Sequence, residues 1–233
     1  PGALNDVLSK LAAHGVNMNK LESCPVAGRN YEFIFFLEMD GSVQDAGVLS
    51  MLEDLERRGL DVFVFDHHTV AEAPAFDAIV NPCADGGGKA RKLCATAVLW
   101  CWAWKEGILP RDWLKYALDL VALATISDCM PLNSLNRSFV RRGMRLMRTN
   151  PRRGLSALFS RLGLNARQLT EEQLSMRVIP CLNAPGRISC ADVSVRALLG
   201  MGGDDAVYEC AGELIKVNRR RQAISERIAG KIR

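Results

Sequence analysis

The apolar run Val62-Phe63-Val64-Phe65, closed by Asp66-His67-His68, constrains this chain more than any other segment. Four β-branched or aromatic residues directly after the turn-like Arg58-Gly59-Leu60 read as a buried strand whose C-terminal end delivers the triplet. In open α/β sheets that edge is where sites are built. Carboxylate oxygen beside imidazole nitrogen suits a divalent metal of the manganese or zinc type, and metal-bound water is a ready hydrolytic nucleophile. The triplet by itself fits equally well with Asp66 capping a helix while His67 and His68 pack or face solvent. His14 is the one further histidine.

More segments point the same way. Ala122-Leu123-Ala124-Thr125-Ile126-Ser127-Asp128-Cys129-Met130-Pro131-Leu132 resembles a Gly-Thr-x-Ala-Asp-x-x-Pro-Leu segment, and Leu182-Asn183-Ala184-Pro185-Gly186-Arg187-Ile188 resembles an Asn-x-x-Gly-Arg loop. Arg91-Lys92-Leu93-Cys94-Ala95-Thr96-Ala97-Val98 looks like the helix start that follows the triplet, and Leu135-Asn136-Arg137 through Gly143 like an Asn-Arg-x-x-x-x-x-Gly stretch. In this order the segments resemble the DHH phosphoesterases, in their RecJ single-strand exonuclease branch, over about residues 57–233. The resemblance implies Mn²⁺ or Mg²⁺ held by Asp66, His67 and Asp128 with His68 assisting, and a metal-activated water attacking a phosphodiester. It also implies phosphate contacts from Asn183, Gly186, Arg187, Arg137 and Arg141.

Asp128 ends an apolar run, and Pro131 stops regular structure three residues later, so its carboxylate is expected at a strand or helix edge. At Gly186-Arg187 the glycine would let backbone approach a phosphate while the guanidinium grips it bidentately; a surface turn is the plainer reading. The family pattern then breaks. Its domain begins with an Asp-x-Asp strand, and no Asp-x-Asp precedes Asp66. With three ligands instead of the five or six of a two-metal site, weak or no activity is expected.

Residues 1–56 resemble something else, the amino-acid-binding ACT domain of prephenate dehydratase. The likeness rests on Pro1-Gly2-Ala3-Leu4, Gly15-Val16-Asn17-Met18, Leu21-Glu22-Ser23-Cys24-Pro25 and the apolar stretch from Tyr31. Cys24 stands where that family carries arginine. The resemblance implies an aromatic amino acid held near Gly2, Ala3, Leu4, Asn17, Glu22 and Ser23. Asp40, after the strand expected over 33–39, either ends that strand as a turn residue or points at the metal as a further ligand. The surrounding residues favour the turn. Pro1, opening mid-pattern, suggests a fragment or a chain without its initiator.

Charge divides near the same border. Residues 1–60 carry five Lys+Arg against nine Asp+Glu, a net of −4, and residues 61–233 carry 25 against 17, a net of +8. A basic phosphoesterase part suits a polyanionic substrate. Seven arginines fall within 137–153, and Arg141, Arg142, Arg145 and Arg148 put several on one helical face, which a solvated surface explains as readily as a nucleic acid does. Trp100, Trp102 and Trp104 lie on an apolar helix and Trp113 close to it, a pattern of core packing rather than base stacking. Eight cysteines without a Cys-x-x-Cys pair indicate reduced, buried thiols in a cytoplasmic protein. The apolar stretch 93–104 is too short to span a bilayer, so no membrane partner is expected.

Helices are expected over 5–14, 45–58, 90–106, 111–124, 136–148, 152–162, 170–177, 191–199 and 204–232, with Thr170-Glu171-Glu172-Gln173 as a capping box. The expected fold class is α/β: a partial DHH phosphoesterase domain, with a parallel sheet and flanking helices, fused to an incomplete ACT-like ferredoxin-type segment. The expected division is 1–56 ACT-like, 57–203 phosphoesterase and 204–233 a basic linker helix. The expected function is metal-dependent 5′-to-3′ hydrolysis of single-stranded DNA. The alternatives are a non-catalytic regulatory binding module and an artificial chimera of two partial domains.

Overall fold

A computed structural model of the chain describes residues 3–25, 33–39, 45–59, 64–65, 67, 79–83, 92–188 and 190–232. They fall in two compact units, Pro1–Gly87 and Gly88–Arg233.

In the first unit, helix α1 (Ala3–Ala13) leads into strands β1 (Met18–Pro25) and β2 (Phe33–Met39), which pair antiparallel. Helix α2 (Ala46–Glu56) follows, then the short strands β3 (Val64–Phe65) and β4 (Ile79–Val80). Val48, Met51, Leu52 and Leu55 recur at helical spacing and form one buried stripe on α2, which packs with Leu11 of α1. Asp54 ties the two helices together: Lys10 Nζ donates to it at 2.5 Å, His14 Nε2 lies 3.0 Å away and Arg57 also donates. Lys10 first, then Arg57 and His14, hold its carboxyl well below the usual carboxylate range.

The expected α/β class does not hold. Among the described residues parallel pairing is confined to Val64 with Ile79 and Phe65 with Val80, and antiparallel pairing to the β1–β2 hairpin. A parallel-sheet domain and a ferredoxin-type segment each need more strands than these two-stranded sheets hold. The architecture is predominantly helical, and the physical reason lies in the second unit. Its apolar residues recur at intervals of three and four, a pattern that buries one face of a helix and would split across both faces of a strand.

That unit is built from α3 (Ala95–Glu106), α4 (Arg111–Tyr116), α5 (Leu118–Ser127), α6 (Ser134–Thr149), α7 (Arg153–Arg161), a 3₁₀ turn (Ala166–Gln168), α8 (Glu171–Gln173), α9 (Ile179–Asn183), α10 (Pro185–Ile188), α11 (Asp192–Leu199) and α12 (Asp204–Ile232). Helix α5 is buried on most of its circumference, including Leu118, Asp119, Val121, Ala122 and Thr125. It lies so close to α6 that a Cβ on Gly143 would sit 2.4 Å from both Ala122 Cβ and the Leu118 carbonyl oxygen. Met144, Met147, Leu155, Phe159, Leu174 and Leu214 carry the core across α6, α7, the segment after α8 and α12. Trp100 stacks on Trp104 at 5.0 Å and meets Phe139 edge-on at 5.3 Å, while its Nε1 donates to the Leu114 carbonyl at 2.7 Å. Trp113 stays 71% exposed.

The capping box forms as expected: Gln173 N donates to Thr170 Oγ1 and Thr170 N to Gln173 Oε1, both at 3.1 Å. Between α8 and α9 the chain makes a π turn over Leu174–Val178. Pro180 accounts for it, because proline has no N–H to donate back and its ring crowds the carbonyl four residues earlier. The wider turn relieves that clash and sets the orientation of α9.

Candidate functional site

Asp128 caps the C-terminus of α5. Met130 N donates to Thr125 O and Cys129 N to Ile126 O, each at 3.1 Å, the two bonds of a Schellman turn. Cys129 occupies the left-handed position at φ 52°, where glycine is the ordinary choice. A helix C-terminus carries partial negative charge from its last carbonyls. The turn sets the exposed Asp128 carboxylate beside it, and no described residue donates a hydrogen bond to that carboxylate. Such a pair of negative groups suits a cation. Cys129→Gly relieves the left-handed strain of about 1–2 kcal/mol and pays back part of it in unfolded-chain entropy. A net stabilisation of about 0.5–1 kcal/mol is expected in chemical denaturation.

The loop after Asp128 is clamped from below. Asn136, fully buried, donates from Nδ2 to the Lys92 carbonyl at 2.7 Å and to the Pro131 carbonyl at 2.9 Å. It therefore ties the approach to α3 to the Asp128 loop. Asn133 Oδ1 accepts from Asn136 N and starts α6. Arg137 donates from Nη2 to the Leu132 carbonyl at 3.1 Å, bracing the same loop.

On the other side, Asn183 Nδ2 donates to Ser127 Oγ at 2.9 Å, joining the end of α9 to the residue before Asp128. Asp128, Ser127, Asn183 and Thr96 line one cavity of about 440 Å³ whose floor is apolar, with Leu123 and Ile179 among its residues. Thr96 brings the N-terminal end of α3, a helix of 12 residues, to that cavity. The cavity thus has a helix end of partial positive charge and another of partial negative charge on its rim. Arg187 is exposed in α10, and no described residue accepts from its guanidinium. Gly186 lies within the same helical turn, and a Cβ there would meet nothing closer than Ala191 Cβ at 3.9 Å. The backbone therefore does not itself require glycine there.

The remaining expected residues are less well placed. His67 belongs to the first unit, half-buried, its carbonyl accepting from Cys83 Sγ at 3.4 Å. Gly2, Asp40, Asp66 and His68 lie outside the described residues. Ala3 and Leu4 open α1, Asn17 is exposed before β1, and Glu22 and Ser23 pair with Phe36 and Phe35 across the hairpin. Among the described residues no three His, Cys, Asp or Glu side chains gather as a metal-binding group. In chemistry Asp128 fits a hard divalent cation, and it is the ligand-type carboxylate on the cavity. Burial pushes the thiols of Cys94, Cys101, Cys181 and Cys210 up, which leaves them unreactive. No helix among the described residues is long and apolar enough to cross a membrane. The Asn136 clamp and Thr96 escaped the sequence reading; a buried asparagine inside an amphipathic helix was the available signal for the first.

No family model matches the chain. Residues of the chain are 32% identical over 193 positions to the single-stranded-DNA-specific exonuclease RecJ of Thermus thermophilus, covering 81% of this chain and 28% of that relative. A crystal structure of exonuclease RecJ bound to manganese superposes with a TM-score of 0.65 at 30% identity, over 78% of this chain and 46% of that one. RecJ from Thermus thermophilus in complex with Mg²⁺ superposes with a TM-score of 0.55 at 27% identity, over 74% and 26%. A separate similarity, 31% over 58 residues and 25% of this chain, is to the bifunctional chorismate mutase/prephenate dehydratase of Aquifex aeolicus, of which it covers 16%. The chain is thus homologous to RecJ exonucleases over about three quarters of its length, and it spans little more than a quarter of the Thermus relative.

Proposed function

We propose that this chain is part of a cytoplasmic, RecJ-type exonuclease that hydrolyses single-stranded DNA from the 5′ end with Mn²⁺ or Mg²⁺. In this reading Asp66, His67 and Asp128 are metal ligands with His68 assisting, and Asn183, Gly186, Arg187, Arg137 and Arg141 serve the phosphates. One observation carries it. Asp128 and Asn183, one from each of two separate motifs, line one cavity and are linked through the Ser127–Asn183 hydrogen bond. The similarity to RecJ proteins, one of them manganese-bound, supports the same assignment. Cys83, Cys94, Cys101, Cys129, Cys181, Cys190 and Cys210 are free thiols, which suits a reducing compartment.

A bound ion of this kind supplies Lewis acidity and lowers the pKa of a coordinated water. The chain's own residues do the rest. The Schellman turn and the Asn136 clamp fix the backbone that carries Asp128, which lowers the ordering cost when a cation arrives. Asn183 presents its amide at the same rim. Arg187, with its guanidinium unengaged among the described residues, can pair bidentately with a phosphate.

Mn²⁺ at a hundredfold its Kd is expected to stabilise the protein by about 2.7 kcal/mol, read as a rise in melting temperature. Asp128→Asn should abolish that rise and leave the metal-free melting curve in place. The same samples, given a 5′-labelled single-stranded oligonucleotide, should release mononucleotides with the parent chain and none with the variant. A melting curve indifferent to excess Mn²⁺, together with an intact oligonucleotide, would remove the proposal.

A further inference from the structure

Away from the Asp128 cavity, a second concavity of about 540 Å³ is lined by Arg141, Arg145, Arg148, Thr149 and Arg167. Three of the arginines stand at intervals of four and three on α6, which places them on one face, across the helix from Gly143, which packs on α5. The fourth comes from the 3₁₀ turn Ala166–Gln168, whose start is fixed by Asn165 Oδ1 accepting from Arg167 N at 3.1 Å. Arg148 donates from Nε to the Leu169 carbonyl at 2.8 Å and so pins the turn to α6, with Leu164 and Leu169 buried beneath. The walls are therefore set by the core and by Arg148, and not by Arg141, Arg145 or Arg167.

What these arginines lack is a counter-charge. No carboxylate lines the concavity, and among the described residues no group accepts from the guanidinium of Arg141, Arg145 or Arg167. Other arginines of this unit are engaged: Arg152 with Asp119, Arg153 with Asp204, Arg161 with the Tyr208 carbonyl. Holding four guanidinium groups around one space costs mutual repulsion, which a bound polyanion offsets.

We propose that this groove binds the sugar-phosphate backbone of a nucleic acid strand, at a distance from the catalytic cavity. Successive arginines on α6 climb by about 6 and 4.5 Å, an array that suits a run of phosphates better than one. It begins about 12 Å along α6 from Asn133 and ends about 22 Å from it, so a strand held there is gripped beyond the Asp128 loop. The all-arginine lining favours bidentate phosphate contacts, and the absence of an apolar or aromatic lining residue disfavours an acidic peptide, which would need an anchor. The inference rests on nucleic acid being the substrate class, and it adds Arg145, Arg148 and Arg167 to the contacts.

The test is equilibrium binding of oligodeoxythymidylate to the full chain in the presence of chelator, across a salt series. It compares the parent with Arg145→Gln/Arg167→Gln, which spares the structural Arg148. Each lost phosphate contact flattens the slope of log affinity against log salt by about 0.7, so a change of about 1.4 is expected, with the melting temperature unmoved. An unchanged slope overturns the proposal. So does a loss of inorganic tripolyphosphate binding equal to the loss for the oligonucleotide, with no dependence on strand length, because the groove would then be a small-anion site. Failure of the exonuclease reading looks different: the parent would release no nucleotides with Mn²⁺ while the salt slopes still diverged.

Discussion

Gly154→Ala is expected to destabilise the second unit by about 3 kcal/mol or more, at the upper end of what overpacking costs. Helices α7 and α11 cross at this glycine so closely that an added Cβ would lie 1.5 Å from the Ala197 carbonyl oxygen and 2.5 Å from its carbon. Both are backbone atoms, so no side-chain rotation can make room, and the two helices must separate. Separation opens the core around Leu155, Leu158 and Val193. Gly203→Ala is the control, because a Cβ there meets nothing within 4 Å. Chemical denaturation should show the first variant with a much lower midpoint and the second within about 0.5 kcal/mol of the parent. Equal midpoints for both would mean that α7 and α11 separate at Gly154 without cost.

Arg152→Ala should cost about 3–5 kcal/mol, the penalty for stranding a buried carboxylate. Asp119 is 1% exposed, and Arg152 meets it with both arms of the guanidinium, Nε to Oδ2 at 2.6 Å and Nη2 to Oδ1 at 3.0 Å. The guanidinium also lies over the Tyr116 ring, 4.5 Å from its centroid. Desolvation makes the pair a poor source of net stability, yet removing the guanidinium leaves the buried Asp119 carboxylate with the Leu120 N–H at 2.7 Å and no counter-charge. The double variant Asp119→Leu/Arg152→Met, which removes both charges, should therefore be more stable than Arg152→Ala alone. A thermodynamic cycle over the single and double variants measures that coupling. Additive effects would show that the two side chains do not depend on each other.

Sequence signals are legible where the physics is local. Pro131 and the end of the apolar run at Asp128 put a carboxylate at an element edge, and it sits at the end of α5. The Thr170 capping box needs residues three apart and forms as spelled. The arginine stripe of α6 follows from helical spacing alone. The run 62–65 misled for a related reason. Four β-branched or aromatic residues specify an extended conformation, but whether a sheet assembles depends on partners elsewhere in the chain, and the pairing described here is two residues long. The α/β expectation rests on this run together with the two family resemblances, and sheet assembly is the outcome that local sequence specifies least. Similarly, 111–124 looked like one helix and is two, α4 and α5, with Ala117 between them.

Composition and spacing thus determined this protein's helices, their caps, its basic second half and the residue types available for metal and phosphate. Tertiary structure decided which of them meet. Asp119 finds Arg152 33 residues away, Asn136 reaches Lys92 44 away and Asn183 reaches Ser127 56 away. Arg167 joins three arginines of α6 only because the 3₁₀ turn is pinned against that helix. Periodicity reports which face of a helix is buried; it carries no term for the docking of one helix on another, and that docking builds both the cavity and the groove.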